Sequence, residues 1–381
     1  MPAHLNFLQQ ESSPSIRRMQ WATAGTALVS LSLVALFIVN YQRTGDSTAT
    51  IAQKIETSPA SESSSAPSRA PKRISENEVI SVVRGPTRDS VKFYERLTGR
   101  AFSVDISTLK TTTLSDRKLS GFIETYWTPT GDQVVSMFQE PEGIRFRSFS
   151  YKNSESTAID EDITSLALSP DGRSVAYLKA TPEGYEVKIG SIDGSGARTI
   201  LKTRAQDAHL TWPTQDFIFM ISRKSDARGS DLSTITVGGA LSVVIENKEN
   251  LEYKLSLDGF RLLYSYFAPE EAVSLWYRNG SGQTVALGIA TSAQKCAWHD
   301  NNSTITCGVP TRSSLTRDIP SEKSATIDDV ISVDLLTGQQ SSLYIGSHDA
   351  LFSVIHPLLS STQKAFVFTN LFDQKLYMLS L

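Results

Sequence analysis

From Val79 to Leu381 apolar runs and polar turns follow one fixed order: two runs around a tight turn, a third run, then a Gly- or Asp-rich turn and a fourth. The clearest copy spans Ile163 to Leu201, where SLALSPDGRSVAYL is followed by GYEVKIGSIDGSGARTIL. Leu166, Leu168, Val175 and Tyr177 share one parity on the two sides of Ser169-Pro170-Asp171-Gly172, which is the pattern of a half-buried hairpin. Gly172 supplies the positive φ that a tight turn needs, and Asp171 can bond back to the local backbone. Aligned on this turn, the copies place Asp89, Gly131, Gly172, Gln215, Gly259 and Asn301 in equivalent positions, 41 to 44 residues apart. A period of that size made of four short strands is the signature of a propeller blade. The pattern therefore predicts an all-β fold: a β-propeller of seven four-stranded blades over residues 79–381, with six blades as the alternative.

The two ends of the repeat region carry the question of closure. The last copy offers Phe352 to His356, Ala365 to Thr369 and Leu376 to Leu381, and lacks an outermost strand. A closed ring leaves no raw sheet edge, so another segment has to complete this blade. Val79 to Val83 can serve either as the first strand of blade one or as the missing strand of blade seven.

Before Val79 the pattern changes twice. Residues 21–41, WATAGTALVSLSLVALFIVNY, contain no charged side chain. At 1.5 Å per residue a helix of this length spans roughly 30 Å, the thickness of a bilayer's hydrocarbon core. Trp21 and Tyr41 stand at its ends, where amphipathic rings favour the headgroup level, and Arg17 and Arg18 precede it. This predicts a short cytoplasmic tail (1–20), a transmembrane signal anchor (21–41) and repeats on the far side of a cell membrane. A cleaved signal peptide is the competing reading. Residues 42–78 turn to Ser, Ala, Thr and Pro, a composition that cannot offset its chain entropy by burial, and they read as a disordered linker. A net charge of −3 gives no reason to expect nucleic acid as a partner.

Candidate chemistry is sparse. Cys296 and Cys307 are the only cysteines and flank one hairpin symmetrically, so they should face each other on adjacent strands and form a disulfide in an oxidising compartment. The five histidines are scattered with no zinc spacing, and no nucleophile elbow or phosphate loop occurs. No cofactor and no catalytic residue is expected. Trp127, Trp212 and Trp298 share one repeat position and read as packing residues. The longest insertion, Pro310 to Asp329 in unit six, carries Arg312, Arg317, Asp318, Glu322, Lys323 and Asp328. Long polar loops on a rigid scaffold are common recognition sites, which makes these six residues the candidate recognition loop.

The phrase LSPDGRSVAYL followed by a strand and IDGSGARTIL resembles the TolB-type repeat, a family of WD-like propeller blades with an SPDG hairpin. Lys295-Cys296-Ala297-Trp298 with Thr306-Cys307-Gly308-Val309-Pro310, behind a single N-terminal span, looks like the membrane-anchored propellers predicted in small-genome bacteria of the candidate phyla. The resemblance implies an extracytoplasmic module that binds protein, peptide or glycan without catalysis of its own. The alternative function is a propeller-type lyase, lactonase or glycosidase with a polar site in the central channel.

Overall fold

The computed structural model describes residues 70–85, 89–223, 229–268, 271–311, 325–347 and 350–381. The anchor expected at 21–41 and the linker up to residue 69 lie outside the described residues, among which no helix is long and apolar enough to cross a membrane.

Among the described residues the strands form seven antiparallel sheets of four, so the expected seven-bladed ring is adopted and not the six-bladed alternative. Blade one is built from Val79–Arg84, Ser90–Glu95, Ala101–Asp105 and Thr111–Ser115, and blade two from Phe122–Trp127, Gln133–Glu140, Gly143–Ser150 and Ser156–Ala158. Blade three holds Ile163–Leu168, Ser174–Thr181, Gly184–Ser191 and Arg198–Thr203; blade four holds Gln206–Thr211, Phe217–Arg223, Ser230–Thr236 and Leu241–Lys248. Glu252–Leu255, Leu262–Ala268, Glu271–Arg278 and Thr284–Ala286 make blade five, and Cys296–Trp298, Thr304–Pro310, Asp328–Asp334 and Gln340–Tyr344 make blade six. Blade seven takes Val354–Leu359, Ala365–Asn370 and Leu376–Ser380 from the end of the chain and its fourth strand from Lys72–Arg73.

That last strand corrects the expected closure. Val79–Arg84 opens blade one, and the missing edge is supplied seven residues earlier, by Lys72 opposite Met378 and Arg73 opposite Tyr377. Ile74 N–H then donates to the Leu376 carbonyl (2.8 Å), and Ser75 Oγ accepts from Leu376 N–H (2.8 Å). The propeller therefore begins at Lys72, inside the stretch expected to be linker. An outermost strand needs only backbone partners, and its side chains stay in water, so Lys-Arg suits it although neither residue is apolar.

Burial runs outward in a gradient. The second strands are covered on both faces: Val175, Ala176, Tyr177 and Leu178 are all buried. The fourth strands Thr111–Ser115, Ser156–Ala158 and Thr284–Ala286 are almost wholly exposed. The first hairpin repeats with one left-handed residue, at Gly131, Gly172, Gly259, Asn302 and Gln363. In unit six this residue is Asn302 and not Asn301 as expected; Asn301 instead caps the turn, its Oδ1 accepting from Ser303 and Thr304 N–H (both 3.0 Å). At Gly172 a Cβ would lie 2.9 Å from Thr128 Cβ and Pro129 Cδ of the preceding blade, so close nesting of successive hairpins also demands glycine there. Seven apolar clusters lie one at each seam between neighbouring blades. Trp127, Trp212 and Trp298 are buried in three of them.

The ring has two faces. First and second strands join on the hairpin face. On the crossover face the chain passes from blade to blade and second strands connect to third, so both described ends of the unit-six connection, at Pro310 and Asp328, lie there.

Candidate functional site in the central channel

The first strand of every blade lines the central channel, and neighbouring first strands are tied by serines: Thr125 N–H donates to Ser81 Oγ (2.8 Å) and Leu210 N–H to Ser165 Oγ (2.9 Å). Three of these strands are bulged around a left-handed residue, Ser81, Asp207 and His356. A bulge re-aims the side chains beside it, and such strained residues concentrate at functional surfaces. In blade four the bulge ends at His209, and Asp207 within it is paired to Arg223 (2.5 Å).

Between blades four and five the channel wall opens into a cavity of about 600 Å³. Its polar lining comes from three blades: His209 and Thr211 from blade four, Glu252, Tyr253 and Lys254 from blade five, and Gln294 from the approach to blade six. Five of these six are held from behind. The Tyr253 hydroxyl and Thr211 Oγ1 are 2.9 Å apart, and burial pushes the phenol up to about 12, so it stays protonated. Gln294 lies in the 3-10 turn Ala293–Lys295 and donates to the Tyr253 carbonyl (2.7 Å). Ser292 caps that turn and its hydroxyl donates to Glu252. Lys254 Nζ reaches across to the Pro357 carbonyl of blade seven (3.5 Å). Ile221, Leu251 and Leu255 supply apolar wall.

The opposite side of the channel is bridged. Arg84 stands where five of the other six first strands end in Trp or Leu, such as Trp127 and Leu359, and the sixth ends in Thr211. From blade one its Nε donates to the Leu359 carbonyl (2.6 Å) and its Nη1 pairs with Asp300 of blade six (2.7 Å). The channel is thus asymmetric: blades six, seven and one are laced together by a cation, and blades four and five leave room for a guest.

The residues expected to matter separate in the structure. Cys296 and Cys307 lie directly opposite in register, are buried, and are joined by a disulfide with their Cα atoms 4.0 Å apart. Arg312, Arg317, Asp318, Glu322 and Lys323 lie outside the described residues. Asp328 departs from the recognition-loop expectation. It is the first residue of a blade-six strand, fully buried, and both its oxygens accept from the equally buried Lys295 Nζ (3.0 and 2.7 Å). Thr326 Oγ1 accepts from Lys295 Nζ and donates to Asp328 (both 2.6 Å), and Val354 N–H of blade seven donates to Asp328 (2.7 Å). Burial pushes the Asp328 carboxyl up and the Lys295 ammonium opposes it. A residue so enclosed can anchor a loop but cannot greet a ligand.

The channel residues His209, Glu252, Lys254 and Gln294 were not singled out by sequence. For His209, Glu252 and Lys254 the signal was positional: polar side chains in first strands just ahead of the hairpin, as in Glu252-Tyr253-Lys254-Leu255-Ser256-Leu257-Asp258-Gly259. Chemically the set offers an imidazole, a carboxylate, an ammonium and an amide around an apolar wall. Among the described residues no three or more His, Cys, Asp or Glu lie together as a metal site.

Comparison with known proteins returns the fold. No family model matches the chain, and no curated protein matches it in sequence. Among solved structures, an oligogalacturonate lyase in complex with manganese aligns with a TM-score of 0.59 at 13% identity, covering 81% of this chain and 92% of that one. The chain is a β-propeller of the kind shared with that enzyme. The β-propeller domain of Cps50 (Swd1) from Myceliophteria thermophila gives 0.55 at 9% identity, over 82% of this propeller chain and 100% of that domain. TolB from Acinetobacter baumannii gives 0.46 at 10% identity, over 71% and 64%. At such identities the likeness is one of architecture, and architecture hosts unrelated functions.

Proposed function

We propose that the chain is a membrane-anchored, extracytoplasmic propeller that binds a peptide segment of a partner protein in the channel groove between blades four and five, without transforming it. The observation that carries this reading is the 600 Å³ cavity with polar groups from three blades. Its volume lies in the usual range for ligand sites, about 300 to 1,000 Å³. A peptide suits it because the groove offers both charge signs, Glu252 and Lys254, beside the apolar wall of Ile221, Leu251 and Leu255. A glycan would use the hydrogen-bonding groups and leave that wall poorly used. The extracytoplasmic placement rests on residues 21–41 and is in keeping with a buried disulfide, which persists in oxidising compartments.

The test is selection of peptides from a random library on the full-length chain, with affinities measured by calorimetry. Lys254→Ala and His209→Ala should each weaken the selected peptides at least tenfold, with unchanged thermal midpoints. Peptides that bind both variants as tightly as the parent would remove the groove from the function.

One observation favours a second reading. His209, Glu252 and Lys254 line the same cavity, and an imidazole with a carboxylate is a serviceable acid–base set. A propeller lyase, lactonase or glycosidase would place its chemistry there, and turnover of a substrate lost in His209→Ala would decide for it.

A further inference from the structure

A second cavity, of about 430 Å³, lies at the seam between blades one and two, away from the channel groove. Its origin is a thin seam. The apolar cluster here has four buried residues, Tyr94, Ala101, Trp127 and Val134, whereas the cluster between blades three and four has ten. In the latter, Ile200 and Leu201 of the outermost strand of blade three fill the gap. Blade one offers Thr111, Thr112 and Thr113 at the corresponding edge, exposed to water. The blade-two side chains that would be covered, Phe138, Phe149 and Tyr151, are left as the wall of a crevice.

That wall is preformed. Tyr151 stacks on Trp127 with ring centres 5.8 Å apart, meets Phe149 edge-on at 5.1 Å, and its hydroxyl lies 2.5 Å from that of Tyr94. Burial holds both phenols protonated by pushing them up, so the wall stays neutral. The rim is cationic: Arg117, Lys118 and Arg147 line the opening. Arg147 is balanced by Glu140 at 2.8 Å, but Arg117 and Lys118 have no ion-pair partner among the described residues. Two cations outside any ion pair among the described residues, beside a neutral aromatic wall, make a complement to a flat ring that carries a negative charge.

We propose that the crevice between blades one and two is a binding site for a small aromatic carboxylate, its ring against Phe138, Phe149 and Tyr151 and its carboxylate between Arg117 and Lys118. A ring carboxylate exploits both features, whereas an aliphatic anion leaves the wall unused and a neutral ring leaves the cations unpaired. The site is independent of the channel groove.

Calorimetric titration of the full-length chain with 2-naphthoate tests this, with 2-naphthamide as the neutral isostere. The carboxylate should bind at least tenfold more tightly than the amide, and its affinity should fall as salt is raised. The double variant Arg117→Ala/Lys118→Ala should lose tenfold or more. Ser115→Leu, which fills the crevice from its lining, should abolish binding while the thermal midpoint is kept. His209→Ala should change nothing. Equal affinity for acid and amide, binding that survives Ser115→Leu, or no binding at millimolar 2-naphthoate would each overturn the proposal; in the last case the chain's own residues before Lys72 become the occupant to test by deletion.

Discussion

The seams between blades three and four and between blades six and seven do the same mechanical work with different chemistry. At the first, ten buried apolar residues interlock, including Leu178, Leu210, Trp212 and Met220, and the polar tie at its core is one serine, Ser165, which accepts from Leu210 N–H. At the second, eight buried apolar residues, among them Val354, Phe366 and Phe368, are joined by the fully enclosed Lys295–Asp328 pair and Thr326. Since the apolar content is similar, the ion pair does not replace missing contact. It sits where the unit-six connection returns to the sheet: Thr326 N–H donates to Ser353 Oγ (3.1 Å), Asp328 N–H to the Phe352 carbonyl (2.9 Å) and Gly346 N–H to Asp329 (2.8 Å). An apolar seam fixes spacing; directional, charged bonds also fix where a particular chain segment must lie. The difference suggests that blade six is built to hold the base of its long connection in one place on the crossover face.

The sharpest way to break this comparison is to remove one charge. Asp328→Ala leaves Lys295 buried without a counter-ion, and losses of about 3 to 5 kcal/mol are expected for such changes. Equilibrium denaturation of the full-length chain measures it, and a loss below about 1 kcal/mol would mean that water or rearrangement relieves the ammonium. Turning the ionic seam into an apolar one gives the complementary test. The double change Lys295→Met/Asp328→Leu should recover at least half of the loss, because paired removal of buried charges is far less costly than removal of one. Full recovery is not expected, since Val354 N–H loses the acceptor that Asp328 gives it.

At the apolar seam the corresponding perturbation is Leu210→Ala. Leu210 is buried between Leu178 of blade three and Met220 of blade four, so truncation creates a cavity and should cost about 3 kcal/mol. Its effect should be insensitive to salt and to pH between 5 and 8. A clear salt or pH dependence would show that seam three–four also relies on charge, and the contrast would fail.

The contrast also explains what was legible in the sequence. Units two, three and five announce their strands because alternation and Ser-Pro-Asp-Gly-type turns are local signals; Gly131, Gly172 and Gly259 all adopt the left-handed turn residue they were assigned. The cysteine pairing was legible for the same reason, as a symmetry within one hairpin. Closure by Lys72–Arg73 was not, because an edge strand is defined by the partner Leu376–Ser380, which lies some 300 residues away, and its own sequence carries no pattern. Asp328 was read as a recognition-loop residue because it falls at the end of the long polar insertion Pro310 to Asp329, and charge in such a loop ordinarily means solvent. Only the approach of Lys295, brought in by the turn before Cys296, makes burial tolerable. The channel groove is assembled from blades four, five and six, and no local signal reports on such convergence.

The seam between blades seven and one supplies a case between these extremes and the smallest predicted effect. There Asp89, near the surface and in the left-handed region, accepts from Thr362 N–H (3.2 Å) and from the Thr362 hydroxyl, tying the first hairpin of blade one to that of blade seven. The Thr362 hydroxyl bond holds the Asp89 carboxyl below its ordinary value, with Thr362 N–H and neighbouring hydroxyls adding to it against a small opposing effect of burial. A depressed folded-state value stabilises the ring above the ordinary carboxylate range, near pH 4, and that stability is lost as pH falls through the depressed value. Asp89→Asn should therefore leave the midpoint at pH 7 slightly lower and make its decline below pH 4 less steep than in the parent chain. Because the group is open to solvent, the difference should be small and should shrink in high salt, unlike that of Asp328→Ala. Parallel acid profiles for the parent and Asp89→Asn would show that the Asp89 tie adds nothing to seam seven–one beyond its apolar cluster of Val79, Val91, Val367 and Leu376 and the Arg84 bond to Leu359.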